Sequence, residues 1–172
     1  PPRRSQISMT DSSPELERLL ARGDFASAQR LARSAWETST SVEQRAQSVC
    51  DLLTVLIRTG RYRDAEGPAA EAQAIEQQLL ATDFTLALRL LLSRAELHYN
   101  LSNHPQCSSL LDTFDALMLR RAEPSPGLRA KACHLRGCLA IGAGQLDRAV
   151  SAFEEAIALR EALFGKDHVD VA

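Results

Sequence analysis

One pattern recurs four times along this 172-residue chain and limits the fold more than any single motif does. Gly60-Arg61-Tyr62-Arg63-Asp64-Ala65 matches Gly144-Gln145-Leu146-Asp147-Arg148-Ala149, and Gly23-Asp24-Phe25-Ala26-Ser27-Ala28 repeats the spacing of glycine, apolar residue and alanine. A degenerate copy, Ser102-Asn103-His104-Pro105-Gln106-Cys107, has Ser for Gly and Cys for Ala. Gly60 to Ser102 and Ser102 to Gly144 are each 42 residues, and Gly23 to Gly60 is 37. A unit of that length cannot bury its apolar face alone, so the copies must stack on one another.

Between the copies, apolar residues recur at intervals of three and four, as in Val49, Leu52, Leu53 and Leu56 or Leu88, Leu91, Leu92 and Ala95. That is helical period, and no stretch alternates apolar and polar residues for the length of a strand. Helix starts are signalled by Ser13-Pro14-Glu15, by the capping-box spacing of Ser41 to Gln44, by Thr82-Asp83 and by Ser125-Pro126. The sequence therefore predicts an all-α chain of stacked hairpins. In each, Gly or Ser closes the first helix with left-handed backbone and an apolar residue (Phe25, Tyr62, Leu146) pins the second. A small residue (Ala28, Ala65, Cys107, Ala149) then lets the helices approach. Residues four and seven further on return to the same face: Ala32 and Ala35, Ala69 and Ala72, Leu111 and Phe114, Phe153 and Ala156. Ala95 and Gly137 are the facing small contacts on the first helices, with Leu53 at that site in the second copy. Gly67-Pro68, inside the fourth helix, predicts a kink or a late start, because proline removes an amide donor and crowds the preceding turn.

Residues 1–12 hold two prolines, four Ser or Thr and almost no periodic apolar residue, and read as a flexible tail before an array over 13–172. The hairpins fall at about 14–38, 42–80, 83–122 and 126–164, with 166–172 the start of a further, truncated repeat. The chain opens on Pro1-Pro2 and not on Met, which marks a processed product or a cut fragment. No run is apolar and long enough to span a membrane, and no secretory signal is recognisable, so a cytoplasmic location is expected. Eighteen arginines and two lysines nearly balance 22 acids, which leaves no dense cationic surface for nucleic acid. The cysteines (Cys50, Cys107, Cys133, Cys138) form no close-spaced pair and read as small core fillers.

These residues resemble tetratricopeptide repeats, over about residues 14–172 and most closely at Gly137, Gly144, Ala149, Phe153 and Ala156. The segment from Ala158 through Leu163-Phe164-Gly165-Lys166-Asp167-His168-Val169-Asp170-Val171-Ala172 is similar to the long inter-repeat segment of kinesin-light-chain-type repeats, which share the 42-residue period. Val169 stands where that class usually has proline. The asparagine pairs that the class often carries on the first helix are replaced by Cys50-Asp51, Leu92-Ser93 and His134-Leu135. The resemblance implies a right-handed α-solenoid of about four antiparallel hairpins that binds a protein or peptide on its concave face, without catalysis or a cofactor. The alternative it implies is a regulatory or sensor region of a larger signalling protein, such as a kinase, protease or transcription regulator, whose catalytic or effector domain is absent from this chain.

Carried over residue by residue, the concave positions are Gln47, Cys50, Thr54, Ile57 and Arg58; Arg89, Leu92, Glu96, Tyr99 and Asn100; and Lys131, His134, Cys138, Ile141 and Gly142. Three cations against one anion, with apolar patches between, suit a segment of acidic character, because Arg forms forked bonds to carboxylates. The same pattern also fits a plain solvated helix face. A clamp of the chaperone-cofactor kind needs Lys and Asn where Cys50 and Thr54 stand, and is not expected. Cys133, His134 and Cys138 do not form a metal or thiol-nucleophile set, since Cys133 lies on a different helix face from the other two. No phosphate-cradling glycine loop is present. His98 and His104 read as core or turn residues, His168 as a cap or packing residue of the next helix, and Trp36 as packing between hairpins. The last hairpin has no successor to cover it, so self-association through that uncapped C-terminal repeat is a further expectation.

Overall fold

The computed structural model describes residues 13–120 and 126–165. Among them the chain forms eight α-helices and no strand: α1 (Pro14–Ala21), α2 (Phe25–Thr38), α3 (Val42–Arg58), α4 (Glu66–Thr82), α5 (Phe84–Asn100), α6 (His104–Arg120), α7 (Pro126–Gly142) and α8 (Leu146–Phe164). The expected tail, Ser125, His168 and the truncated repeat lie outside the described residues.

The helices pair in sequence order as four hairpins, and the all-α helical-repeat fold expected from the recurrence is what the chain adopts. The side-chain oxygens of Ser13, Ser41 and Asp83 accept amide hydrogens from Leu16 (3.2 Å), Gln44 (3.1 Å) and Leu86 (3.0 Å), satisfying donors that a helix leaves open at its start. Each hairpin turn has its residue in the left-handed region: Gly23 at φ 72°, Gly60 at 68°, Ser102 at 57° and Gly144 at 72°. The amides there close the preceding helix in one shared way. Gly144 N–H donates to the Ile141 carbonyl (2.9 Å) and Gln145 N–H to that of Ala140 (2.8 Å); Ser102 and Asn103 do the same to Tyr99 and His98. Serine thus takes the glycine backbone geometry in the degenerate copy.

Gly67-Pro68 gives the late start. A 3-10 turn over Tyr62–Ala65 precedes α4, and Pro68 is the third residue of that helix, where its missing amide costs no intrahelical bond. Gly137 keeps α7 and α8 close: a Cβ there would lie 2.6 Å from the Phe153 ring. Ala95 and Leu53 occupy the equivalent sites and are fully buried.

The core has two parts that share α5. Leu86, Leu90 and Leu97 join Val49, Leu52, Leu53, Leu56 and Leu79 on one side, while Leu88, Leu91 and Leu92 join Leu111, Phe114, Leu128 and Leu135 on the other. Each buried leucine stabilises the fold by roughly 1.5–3 kcal/mol. Between α4 and α5, Arg94 Nη1 meets Glu76 Oε2 at 2.7 Å with both side chains under a tenth exposed, and Arg94 Nη2 donates to Gln73 at 3.0 Å. At the seam of the first two hairpins, Trp36 Nε1–H donates to Glu71 Oε2 at 2.7 Å. Arg45 pairs with Glu71, donates to the Trp36 carbonyl, and places its guanidinium 5.1 Å from the indole centroid.

The two ends of the array differ from this middle. α1 is only 8 residues long, and α8 buries only Ala149 and Ala156. Leu146, Val150 and Ile157, on one stripe of α8, are 66%, 55% and 41% exposed. One packing expectation fails at the first end: Ala35 is exposed, although its counterparts Ala72, Phe114 and Ala156 are buried.

Candidate functional site

α3 touches α5 and α5 touches α7, whereas no comparable contact joins α4 to α6 or α6 to α8. In a two-layer stack the layer whose members touch lies inside the curve, so the first helices of the hairpins form the inner face. The residues carried onto this face from the sequence do not all reach its surface. Leu92 is fully buried and Ile57 is 7% exposed, as core members under the face, and Cys50 is buried with them. Their side chains belong to the packed layer, since α3 packs on α2, α4 and α5, and α5 on α3, α4, α6 and α7. These three residues lie beneath the inner face and not on its surface. Thr54 is half-buried and its hydroxyl is bonded to the Cys50 carbonyl of its own helix (2.9 Å).

The remaining residues form two groups. Toward the first hairpins, Arg89 Nη1 donates to Gln47 Oε1 at 2.7 Å, Gln47 Nε2 donates to Asp51 at 3.0 Å, and Arg58 is exposed at the end of α3. Toward the last hairpins, Lys131 Nζ lies 2.7 Å from Glu96 Oε2, with about a third of each side chain exposed. The expected surplus of cations is smaller than the sequence suggests, since Glu96 neutralises Lys131 across two helices. Asn100 is held by the Glu96 carbonyl (2.8 Å) and by the Tyr62 hydroxyl (3.3 Å).

Around that ion pair, aromatic and sulfur groups meet. Tyr99 stacks on His104 at 5.7 Å between centroids, Cys138 Sγ lies 3.7 Å from His134 Nε2, and the exposed His134 ring tilts over Phe153 at 5.5 Å. Ile141 is 54% exposed beside them on α7. Desolvation, followed by Arg160, lowers the His134 imidazole from its ordinary value. Burial, with Cys138 adding to it, pushes the Tyr99 phenol up. His104, expected from the sequence as a core or turn residue, stands exposed at the start of α6 just past the Ser102 turn, and the packing of that start on the end of α5 brings it here.

The thiols offer little chemistry. Burial pushes Cys50, Cys107 and Cys133 up to about 11, so all three are thiols at neutral pH. Cys138 departs from the core-filler expectation, being partly exposed on α7, yet burial raises it too. Among the described residues no group of three or more His, Cys, Asp and Glu converges on a point a metal ion would need. No described helix is long and apolar enough to cross a membrane.

Comparison with known proteins agrees with this architecture. Residues 129–170 match the family profile of the tetratricopeptide repeat. Among solved structures, the crystal structure of BtubC (BKLC) from P. vanneervenii superposes with a TM-score of 0.59 at 19% identity, over 92% of this chain and 62% of that one. The chain thus spans less than two thirds of that protein's length, and the likeness is one of fold. No curated protein matches the chain in sequence.

Proposed function

We propose that this chain, whose last hairpin carries a tetratricopeptide repeat, is a non-enzymatic interaction module that acts in the cytoplasm and binds a peptide or protein segment on its inner face. The observation that carries this reading is the surface around Lys131 and Glu96. A partly exposed ion pair sits there among Tyr99, His134 and the 54% exposed Ile141, so charge, ring faces and an apolar patch are offered together. A ligand carboxylate can replace Glu96 on Lys131 while its apolar neighbours settle on Ile141 and the rings. Arg58 and Arg89 extend the cationic track toward the first hairpins. A pull-down with the whole chain, paired with the Arg58→Glu, Arg89→Glu, Lys131→Glu triple variant, tests it. The expected result is a bound segment rich in Asp and Glu whose affinity drops at least about tenfold in the variant, while helicity is unchanged. Equal affinity for both proteins refutes the reading.

A second reading, self-association through the last hairpin, is favoured by the exposed stripe Leu146, Val150 and Ile157 on α8. Light scattering over a concentration series tests it: mass should rise for the parent and stay monomeric for Leu146→Glu, Val150→Glu. A monomer throughout removes it.

A further inference from the structure

A cavity of about 670 Å3 opens at the other end of the array, between α1, α2 and α3. Leu16, Leu31, Ala32 and Ala35 form its apolar side, and Glu43 and Asp51 stand on its α3 side, with no Lys or Arg among the described lining residues. The repeat itself indicates what kind of group belongs there. α3, α5 and α7 each have 17 residues, whereas α1 has 8. α2 continues to Thr38, well past the level at which α1 begins, so its last turns have no hairpin partner. Ala72, Phe114 and Ala156, level with Ala35 in the other hairpins, are at most 1% exposed, under full-length first helices. Each of those helices puts an apolar residue from its first half into the core: Val49 on α3, Leu88 on α5 and Leu128 on α7.

Ser13 is the N-terminal cap of α1 and stands outside the helix. Ser13 has non-helical backbone at ψ 138°, and the proline that follows it disfavours helical geometry at that residue. The occupant must enter as a separate segment. Its chemistry follows from the walls: leucine-like side chains at intervals of three and four against Leu31, Ala32 and Ala35, and a cation toward Glu43, which makes no ion pair among the described residues.

We infer that this cavity is a second recognition site, separate from the inner face, which takes a helix of about three turns from a partner protein, aliphatic on one side and basic at its edge, in place of the absent half of α1. The inference does not depend on the function proposed above.

A fluorescein-labelled synthetic peptide of about three turns, with leucines at helical spacing and two arginines, serves as the probe for fluorescence anisotropy with the full chain. Saturable binding is expected, weakened at least about tenfold by Ala35→Trp, which fills the cavity from an exposed position, and about threefold by Glu43→Lys. Arg58→Glu should leave it unchanged. Circular dichroism checks that each variant folds, and Thr38→Trp on the same wall replaces Ala35→Trp if that one does not. A photo-crosslinker at Thr38 should attach to the probe. No saturable binding, an equal loss with Arg58→Glu, or crosslinking only to residues 1–12 of the same chain would each overturn the inference, the last by making the occupant the chain's own segment.

Discussion

α5 and α8 belong to successive copies of one pattern and have opposite surroundings. α5 buries eleven residues and serves both halves of the core, while α8, longer at 19 residues, buries two and packs chiefly on α7 among the described elements. The match to the repeat family falls at 129–170, on the hairpin that is least enclosed. Consensus residues therefore report how a hairpin folds on itself, at Gly137 against Phe153 and at the Gly144 turn. Burial reports how many neighbours that hairpin has. In a solenoid the two quantities separate, because each unit contacts only the units beside it.

Ion pairs give the strongest way to break the contrast between the enclosed middle and the open end. Arg94→Met strands the Glu76 carboxylate in the core and should cost about 4 kcal/mol in urea unfolding, whereas Lys131→Met, at the partly exposed pair, should cost under about 1 kcal/mol. Equal losses would mean that Arg94 and Glu76 are solvated in solution. Among apolar residues, Leu56→Ala should cost about 3 kcal/mol through lost burial and the cavity left behind, and Val150→Ala on α8 should stay within about 0.5 kcal/mol of the parent. A large effect at Val150 would show that something covers α8.

The buried pair also predicts a pH dependence. Burial raises the Glu76 carboxyl above its ordinary value, with Arg94 opposing the rise. The folded chain then holds that proton more tightly than the unfolded chain does. Its contribution is complete below the unfolded value and is lost as pH rises through the folded one. Melting temperatures across pH 4 to 7 should therefore show a downward component in the parent that Glu76→Gln abolishes; identical profiles would remove Glu76 as its source. The smallest effect sharpens the comparison between turns. Ser102→Gly should stabilise by about 0.5 kcal/mol, since serine is held at φ 57°, and Gly144→Ala should destabilise by about 1 kcal/mol at φ 72°.

The turns were the most legible part of the sequence, down to serine standing for glycine at residue 102, because left-handed closure depends on local residue type. Helix starts at Ser13, Ser41 and Asp83 were legible for the same reason. The inner face was legible only in part. The position of Leu92 along its helix is right, but burial at that position depends on how far α3 and α7 rotate against α5, which no local signal encodes. The Lys131 and Glu96 pairing, the stacking of His104 on Tyr99 and the opening beside α2 likewise join residues on different helices. Their geometry is set by the pitch of the stack.

Trp36 is the sole tryptophan of the chain, and it stands where the first hairpin meets the second, bonded to Glu71 of α4 and under Arg45 of α3. Its emission is consequently a local optical gauge built into the protein. Peeling of the first hairpin from the array would expose the indole to water and move its spectrum to the red while far-ultraviolet ellipticity, dominated by the remaining helices, barely changes. Fluorescence and ellipticity recorded on one sample thus tell separation of that hairpin from collapse of the whole stack, with no label added.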